Sequence, residues 1–81
     1  MGIPLKEIEK CLMSLLCNKL KALPEDIDKN LLFQDMGLTS LDAVIISSEL
    51  EEALDIPIDP TIFFEHSTYS KLLIKLDLLC T

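Results

Sequence analysis

An all-α fold, with three main helices and one short one, is what this sequence predicts. Apolar residues recur at helical spacing in three windows, and no stretch shows the two-residue alternation of a half-buried strand. The length of 81 residues suits a single domain spanning 1–81. A chain this short buries roughly 60 to 65% of its unfolded surface, so its core is small and leaves no room for a deep active site.

The first helix is expected over roughly residues 4 to 20. Leu5, Ile8, Cys11, Leu12, Leu15 and Leu16 fall on one face, with Lys6, Glu7, Glu9 and Lys10 largely opposite. In that register Cys11 shares the buried face and Cys17 faces water. Pro24, the acids of PEDID and Gly37 break helical signals across residues 21 to 39. Ile27, Leu32, Phe33, Met36 and Leu38 nevertheless recur there, as apolar anchors do in long ordered loops packed on a core. A second helix is expected from Ser40 to Leu54, stopping before Asp55-Ile56-Pro57 because the residue before a proline disfavours helical geometry. A short helical turn fits Thr61 to Glu65. Ser67 or Thr68 then caps a last helix, whose buried stripe is Tyr69, Leu72, Leu73 and Leu76.

The second helix has more apolar surface than a core requires. Ala43, Ile46, Leu50, Ala53 and Leu54 form one stripe, within about 80° of Ala43 on a helical wheel, and that stripe is enough to fold it. Leu41, Val44 and Ile45 project on the other side with Ser48, Glu51 and Glu52, flanked by Asp42 and Glu49. Leu41 and Ile45 are expected to be exposed; Val44 is either exposed or covered by the first helix or the long loop. Apolar side chains left in water forgo about 1.5 to 3 kcal/mol each, which is characteristic of a docking surface.

Composition narrows the function. Seven basic against fourteen acidic residues give a net charge of −7, which repels nucleic acid and anionic lipid and favours partners with basic faces. No apolar run approaches the roughly 20 residues of a membrane span. Met1 and Gly2 resemble the start of a myristoylation signal, but Lys6 stands where that signal wants Ser or Thr, and a cytoplasmic location is expected. Cys11, Cys17 and Cys80 are odd in number and lack Cys-x-x-Cys spacing, so free thiols are expected and a zinc site is not. Asp26, Asp28 and Asn30 mimic the first ligands of a calcium loop, but Leu31 replaces its glycine and Gly37 stands where its bidentate Glu belongs. The single histidine, His66, is assigned to capping or solvating the short helix.

What remains is DMGLTSLD, residues 35 to 42. A hydroxyl residue followed three positions later by an acid is how many helices begin. If Thr39 is the N-cap, Asp42 completes a box-like start and Ser40 occupies the first helical position, with its hydroxyl free. The stretch LFQDMGLTSLDAV resembles the attachment signature of acyl carrier proteins, and the likeness covers nearly the whole chain: leading helix, long loop, second helix starting at the serine, and FFEHSTYSKLLIKL at the end. That resemblance implies a small four-helix bundle of acyl-carrier type in which Ser40 receives 4′-phosphopantetheine from coenzyme A. A separate phosphopantetheinyl transferase would perform the transfer. The arm's thiol would then carry acyl groups as thioesters between an acyl-loading enzyme (acyltransferase or acyl ligase) and ketosynthase or other thioester-processing enzymes.

FFEHST is similar to polyketide carriers, and Ile45 stands where carriers of primary fatty acid synthesis usually have an acid, so polyketide or related fatty-acid-like biosynthesis is implied. The GGHSL-type signature of peptidyl carriers is absent. Thr39 departs from the family, many of whose members have Asp there to help the transferase engage. On this reading the chain is no enzyme and acts as a monomer, binding neither nucleic acid nor membrane. It docks through Leu41, Asp42, Val44, Ile45, Glu49, Glu51 and Glu52. Met1 and a complete helical set by residue 76 suggest a discrete protein, although an excised domain given a new start would look identical. Two rivals compete: a small helical adaptor binding a protein through the same strip with Ser40 merely a cap, and a hydrolase in which His66 would have to serve Ser40 as base.

Overall fold

The computed structural model describes residues 2–80. Its helices are α1 (Leu5–Leu20), α2 (Ser40–Leu54), the one-turn α3 (Ile62–Glu65) and α4 (Tyr69–Cys80). Short 3-10 turns at Pro24–Asp26 and Phe33–Met36 punctuate the α1–α2 connection. Extended pairing among the described residues is limited to an isolated antiparallel bridge between Leu32 and Thr68.

Pro4 precedes α1 in extended geometry, and its carbonyl accepts from the N–H groups of Glu7 and Ile8. Ile8, Leu12 and Leu16, spaced one turn apart, are fully buried, while Cys11 and Leu15 are half-buried at the edges of the stripe. Leu5, expected in the core, is 45% exposed. At that end Ile3 packs on the core instead, its N–H donating to the Cys80 carbonyl at the end of α4. α1 stops at Lys21, which adopts the left-handed conformation while its N–H and that of Ala22 donate to the Cys17 carbonyl.

Ile27 and Phe33 are the buried anchors of the long connection, with Met36 and Leu38 half-buried against the core. Leu32, expected to be a further anchor, is exposed. The Phe33 N–H donates to the Ser67 carbonyl at 2.9 Å beside the Leu32–Thr68 bridge. Leu32 is the extended residue just before the Phe33–Met36 turn, and with Phe33 facing inward it stays on the outer side. The Phe33 ring lies 5.3 Å from that of Phe63, tilted by 58°.

On α2, Ala43, Ile46, Leu50 and Leu54 are buried as the wheel predicts, but Ala53 is exposed and Ser47 is buried. The core stripe is rotated slightly from the apolar one. Ser47 is tolerated inside because its hydroxyl donates to the Ala43 carbonyl at 2.6 Å. α2 ends at Asp55 in the left-handed conformation, and Glu51 accepts from the Ile58 N–H at 2.7 Å, holding the turn that buries Ile58.

Asp59 starts the approach to α3 by accepting from both the N–H and the hydroxyl of Thr61, bonds that lower its carboxyl pKa. Ile62 and Phe63 are buried, and the His66 N–H closes the turn on the Ile62 carbonyl, the capping place assigned to that residue. Thr68 caps α4, its hydroxyl accepting from the Lys71 N–H at 3.2 Å. Tyr69, Leu72 and Leu76 are buried and Leu73 half-buried; α4 continues a turn past 76 because Cys80 is buried too.

Cys11 and Cys17 are both half-buried, in place of the buried and water-facing positions expected of them. The capping turn at Lys21 and the Pro24–Asp26 turn fold back toward Cys17, whose thiol pKa is raised by burial and by the charges of Glu25 and Asp26. Burial also raises Cys11, aided by Glu49 and Glu7, and Cys80, aided by Asp77. With all three held above the ordinary value of 9.0, thiolate is scarce at neutral pH. Alkylation of the native protein should therefore be slow at pH 7 and accelerate as pH rises past 9, with Cys80 labelled last; labelling time courses followed by mass spectrometry check this. The linked stability is fully present below the unfolded thiol pKa and is lost as pH rises through the raised folded values.

Candidate functional site

Gly37 ends the Phe33–Met36 turn with φ at +93°, its N–H donating to the Gln34 carbonyl. A Cβ at this position would meet nothing within 4 Å, so the glycine serves backbone conformation. Gly37→Ala is expected to cost about 1 to 2 kcal/mol, the left-handed penalty of an L-residue, in a denaturant titration.

Thr39 follows in extended geometry and caps α2 with a complete capping box. Its hydroxyl accepts from the Asp42 N–H and its own N–H donates to the Asp42 carboxylate, both at 3.1 Å. Asp at the third helical position thus does what Glu or Gln usually does. Thr39→Ala should lower stability by about 0.5 to 2 kcal/mol, read from thermal or chemical melts.

Because Thr39 is the cap, Ser40 is the first residue of the helix, exposed, with no side chain among the described residues hydrogen-bonded to its hydroxyl. No acceptor among the described residues takes the N–H groups of Ser40 or Leu41. Two free donors and the positive end of a four-turn helix therefore surround the hydroxyl, a setting suited to a phosphodiester anion on Ser40 Oγ.

The expected docking strip is only partly open. Leu41 is 68% and Val44 49% exposed, with Ser48, Glu51 and Glu52 beside them. Ile45, expected to be exposed, is half-buried, as are Asp42 and Glu49 on the same flank of α2. α1 packs against α2, and Glu49 stands close enough to Cys11 of α1 for its charge to act on that thiol, so α1 shelters this flank. Two of the expected docking acids also have structural duties, Asp42 in the capping box and Glu51 on the Ile58 N–H.

A cleft of about 240 Å³ opens beside the cap, walled by Phe33, Leu38, Phe63 and Phe64, with Thr39 and Ser67 among its polar members. Phe64, 64% exposed, was not singled out by sequence reasoning. The signal lies in the run Ile62-Phe63-Phe64, since three successive residues of a helix span about 200° and cannot all face the core.

Comparison with known proteins agrees with this geometry. The phosphopantetheine attachment site family matches residues 11–75, which include the whole of α2 and the cap before it. The phenolphthiocerol synthesis polyketide synthase type I Pks15/1 of Mycobacterium marinum is 36% identical over 72 residues, covering 83% of this chain and 3% of the synthase. The polyketide synthase PksN of Bacillus subtilis is 33% identical over 61 residues, covering 75% of this chain and 1% of that protein. The chain thus spans only a few hundredths of the length of these relatives, or less. Among solved structures, a free-standing peptidyl carrier protein from an Acinetobacter baumannii secondary metabolic pathway superposes with a TM-score of 0.79 at 26% identity, covering 84% of this chain and 85% of that one. With a four-helix carrier fold, an unengaged serine at a helix N-terminus and polyketide synthase carrier regions as its relatives, the chain belongs to the phosphopantetheine attachment family, a carrier whose prosthetic group is 4′-phosphopantetheine.

Proposed function

We propose that Ser40 is the attachment residue and that the chain carries acyl intermediates between enzymes of polyketide or related biosynthesis. The observation that carries this reading is the division of labour at the start of α2, where Thr39 and Asp42 close the cap between themselves and leave the Ser40 hydroxyl unengaged. Loading requires Ser40 Oγ to form a bond to the phosphorus that bears pantetheine, while the bond from that phosphorus to the nucleotide part of coenzyme A breaks and the hydroxyl proton passes to a base of the transferase. The chain supplies the hydroxyl, two free N–H groups and the helix dipole. Once attached, the group contributes a thiol that holds acyl cargo as a thioester. The family is generally non-catalytic, and on this reading the chain adds no acid or base of its own. The apolar walls beside Thr39 give an arm on Ser40 a surface to lie against, shielded from water.

Docking falls to the open part of α2. Leu41 and Val44 supply apolar contact, while Glu52 and the acidic hollow of about 420 Å³ formed with Glu51 and Asp55 attract basic partner surfaces. A phosphopantetheinyl transferase, an acyl-loading enzyme and a ketosynthase-type enzyme are the partners proposed to read this face in turn. Leu41→Glu is the clean probe, because Leu41 is 68% exposed whereas Ile45 is half-buried. It should slow modification and acyl transfer by on the order of tenfold with melting shifted little. Intact mass after incubation with coenzyme A and a broad-specificity transferase tests the whole reading: one added phosphopantetheine supports it, and none with an active transferase overturns it.

A further inference from the structure

A shallow hollow of about 380 Å³ lies where α1 meets the loop and the start of α4, and none of its lining residues belongs to α2 or α3. Its floor is apolar, formed by half-buried Met13 and buried Tyr69, and its rim holds Lys6, Lys10 and Lys29. Three of the chain's seven basic residues therefore surround one hollow on a molecule of net charge −7. Glu9 is the single acid on the lining. The Lys29 ammonium sits 5.6 Å from the centroid of the Tyr69 ring, and the Tyr69 hydroxyl donates to the Glu9 carbonyl. Lys6 and Lys10 form no ion pair with the described residues. Being four positions apart on α1, they repel each other, a cost that an anion placed between them would remove.

We propose that this hollow docks an acidic segment of a protein partner, at a face separate from the Ser40 end. Charge selects the occupant. The −7 chain as a whole repels acidic surfaces, whereas this hollow gathers three lysines against one acid, and acidic surfaces are what the α2 face rejects. Shape selects a polypeptide over a small anion, because the lysines stand on two different elements around an apolar floor wide enough for a side chain. A partner held here leaves Leu41, Val44 and Ser40 free. The carrier can then stay tethered to one protein while its arm visits another, which raises the effective concentration of the arm.

The test is an amide NMR titration of the full chain with a short synthetic Glu/Leu peptide at physiological ionic strength, where charges act over about 8 Å. The expected result is that shifts concentrate at Lys6, Lys10, Met13, Lys29 and Tyr69. Lys6→Glu/Lys10→Glu should weaken binding by on the order of tenfold or more, with helicity and Ser40 modification unchanged. If that variant does not fold, Lys6→Gln/Lys10→Gln with Lys29→Gln gives the same comparison. The proposal is overturned if the peptide does not bind, if its shifts fall on α2, if affinity survives the lysine changes, or if tripolyphosphate displaces it as a competitor of equal strength, which would mark a small-anion site.

Discussion

Ser40→Ala is expected to abolish coenzyme-A-dependent modification while leaving helicity and melting nearly unchanged. The loss is complete because the acceptor oxygen is removed. Thr39 carries the neighbouring hydroxyl but is committed to the Asp42 N–H, so it does not substitute. Stability is spared because Ser40 is exposed, is not the cap, and has no hydrogen bond from its hydroxyl to lose; alanine is also a better helix former at that position. Intact mass spectrometry with an active transferase, beside a thermal melt, reads both halves. Equal modification of the alanine variant would remove Ser40 from the proposal, and a large fall in melting temperature would return it to the role of cap.

Leu50→Ala should show the opposite pattern, a loss of about 2 to 5 kcal/mol. Leu50 is fully buried at the centre of the α2 stripe, and α1 and α2 form the most extensive helix pair of the fold. Truncation there removes transfer free energy and leaves a cavity. Against a total of about 4 to 12 kcal/mol for a domain of this size, that is a large share. At about 4 to 8 °C per kcal/mol the melting temperature should fall by about 8 to 40 °C, whereas Leu41→Glu should scarcely move it. Chemical denaturation of the two variants side by side makes the comparison, and equal losses would mean that the outer α2 face is also core.

The candidate site was legible to an unusual degree because its parts are local. Cap, box and the proposed attachment serine lie within Thr39–Asp42, and bonds between residues three apart follow from residue type and spacing alone. Helix bounds were legible for the same reason: the periodicity from Leu5 to Leu20 and the proline after Ile56 are properties of the chain itself. Less legible was which of two apolar faces a neighbour covers. Leu41 and Ile45 look alike on a helical wheel, yet α1 shelters the flank bearing Ile45 and leaves Leu41 open. Glu51 and Asp42 read as surface acids until their bonds to the Ile58 and Thr39 N–H groups are seen.

By itself, then, the amino-acid sequence determined the helical class, the order of the helices and the start of α2 at Ser40, and narrowed its cap to Thr39 or Ser40, since each depends on contacts within about one helical turn. Only the tertiary structure decided that Leu5, Leu32 and Ala53 stay outside the core, that Ser47 and Cys80 enter it, and that Phe64 and the Lys6–Lys10–Lys29 rim face solvent. Those outcomes depend on how α1, α2 and α4 meet. Packing of distant segments sets which side of each helix is covered, and one helix's own periodicity holds no information about its neighbours.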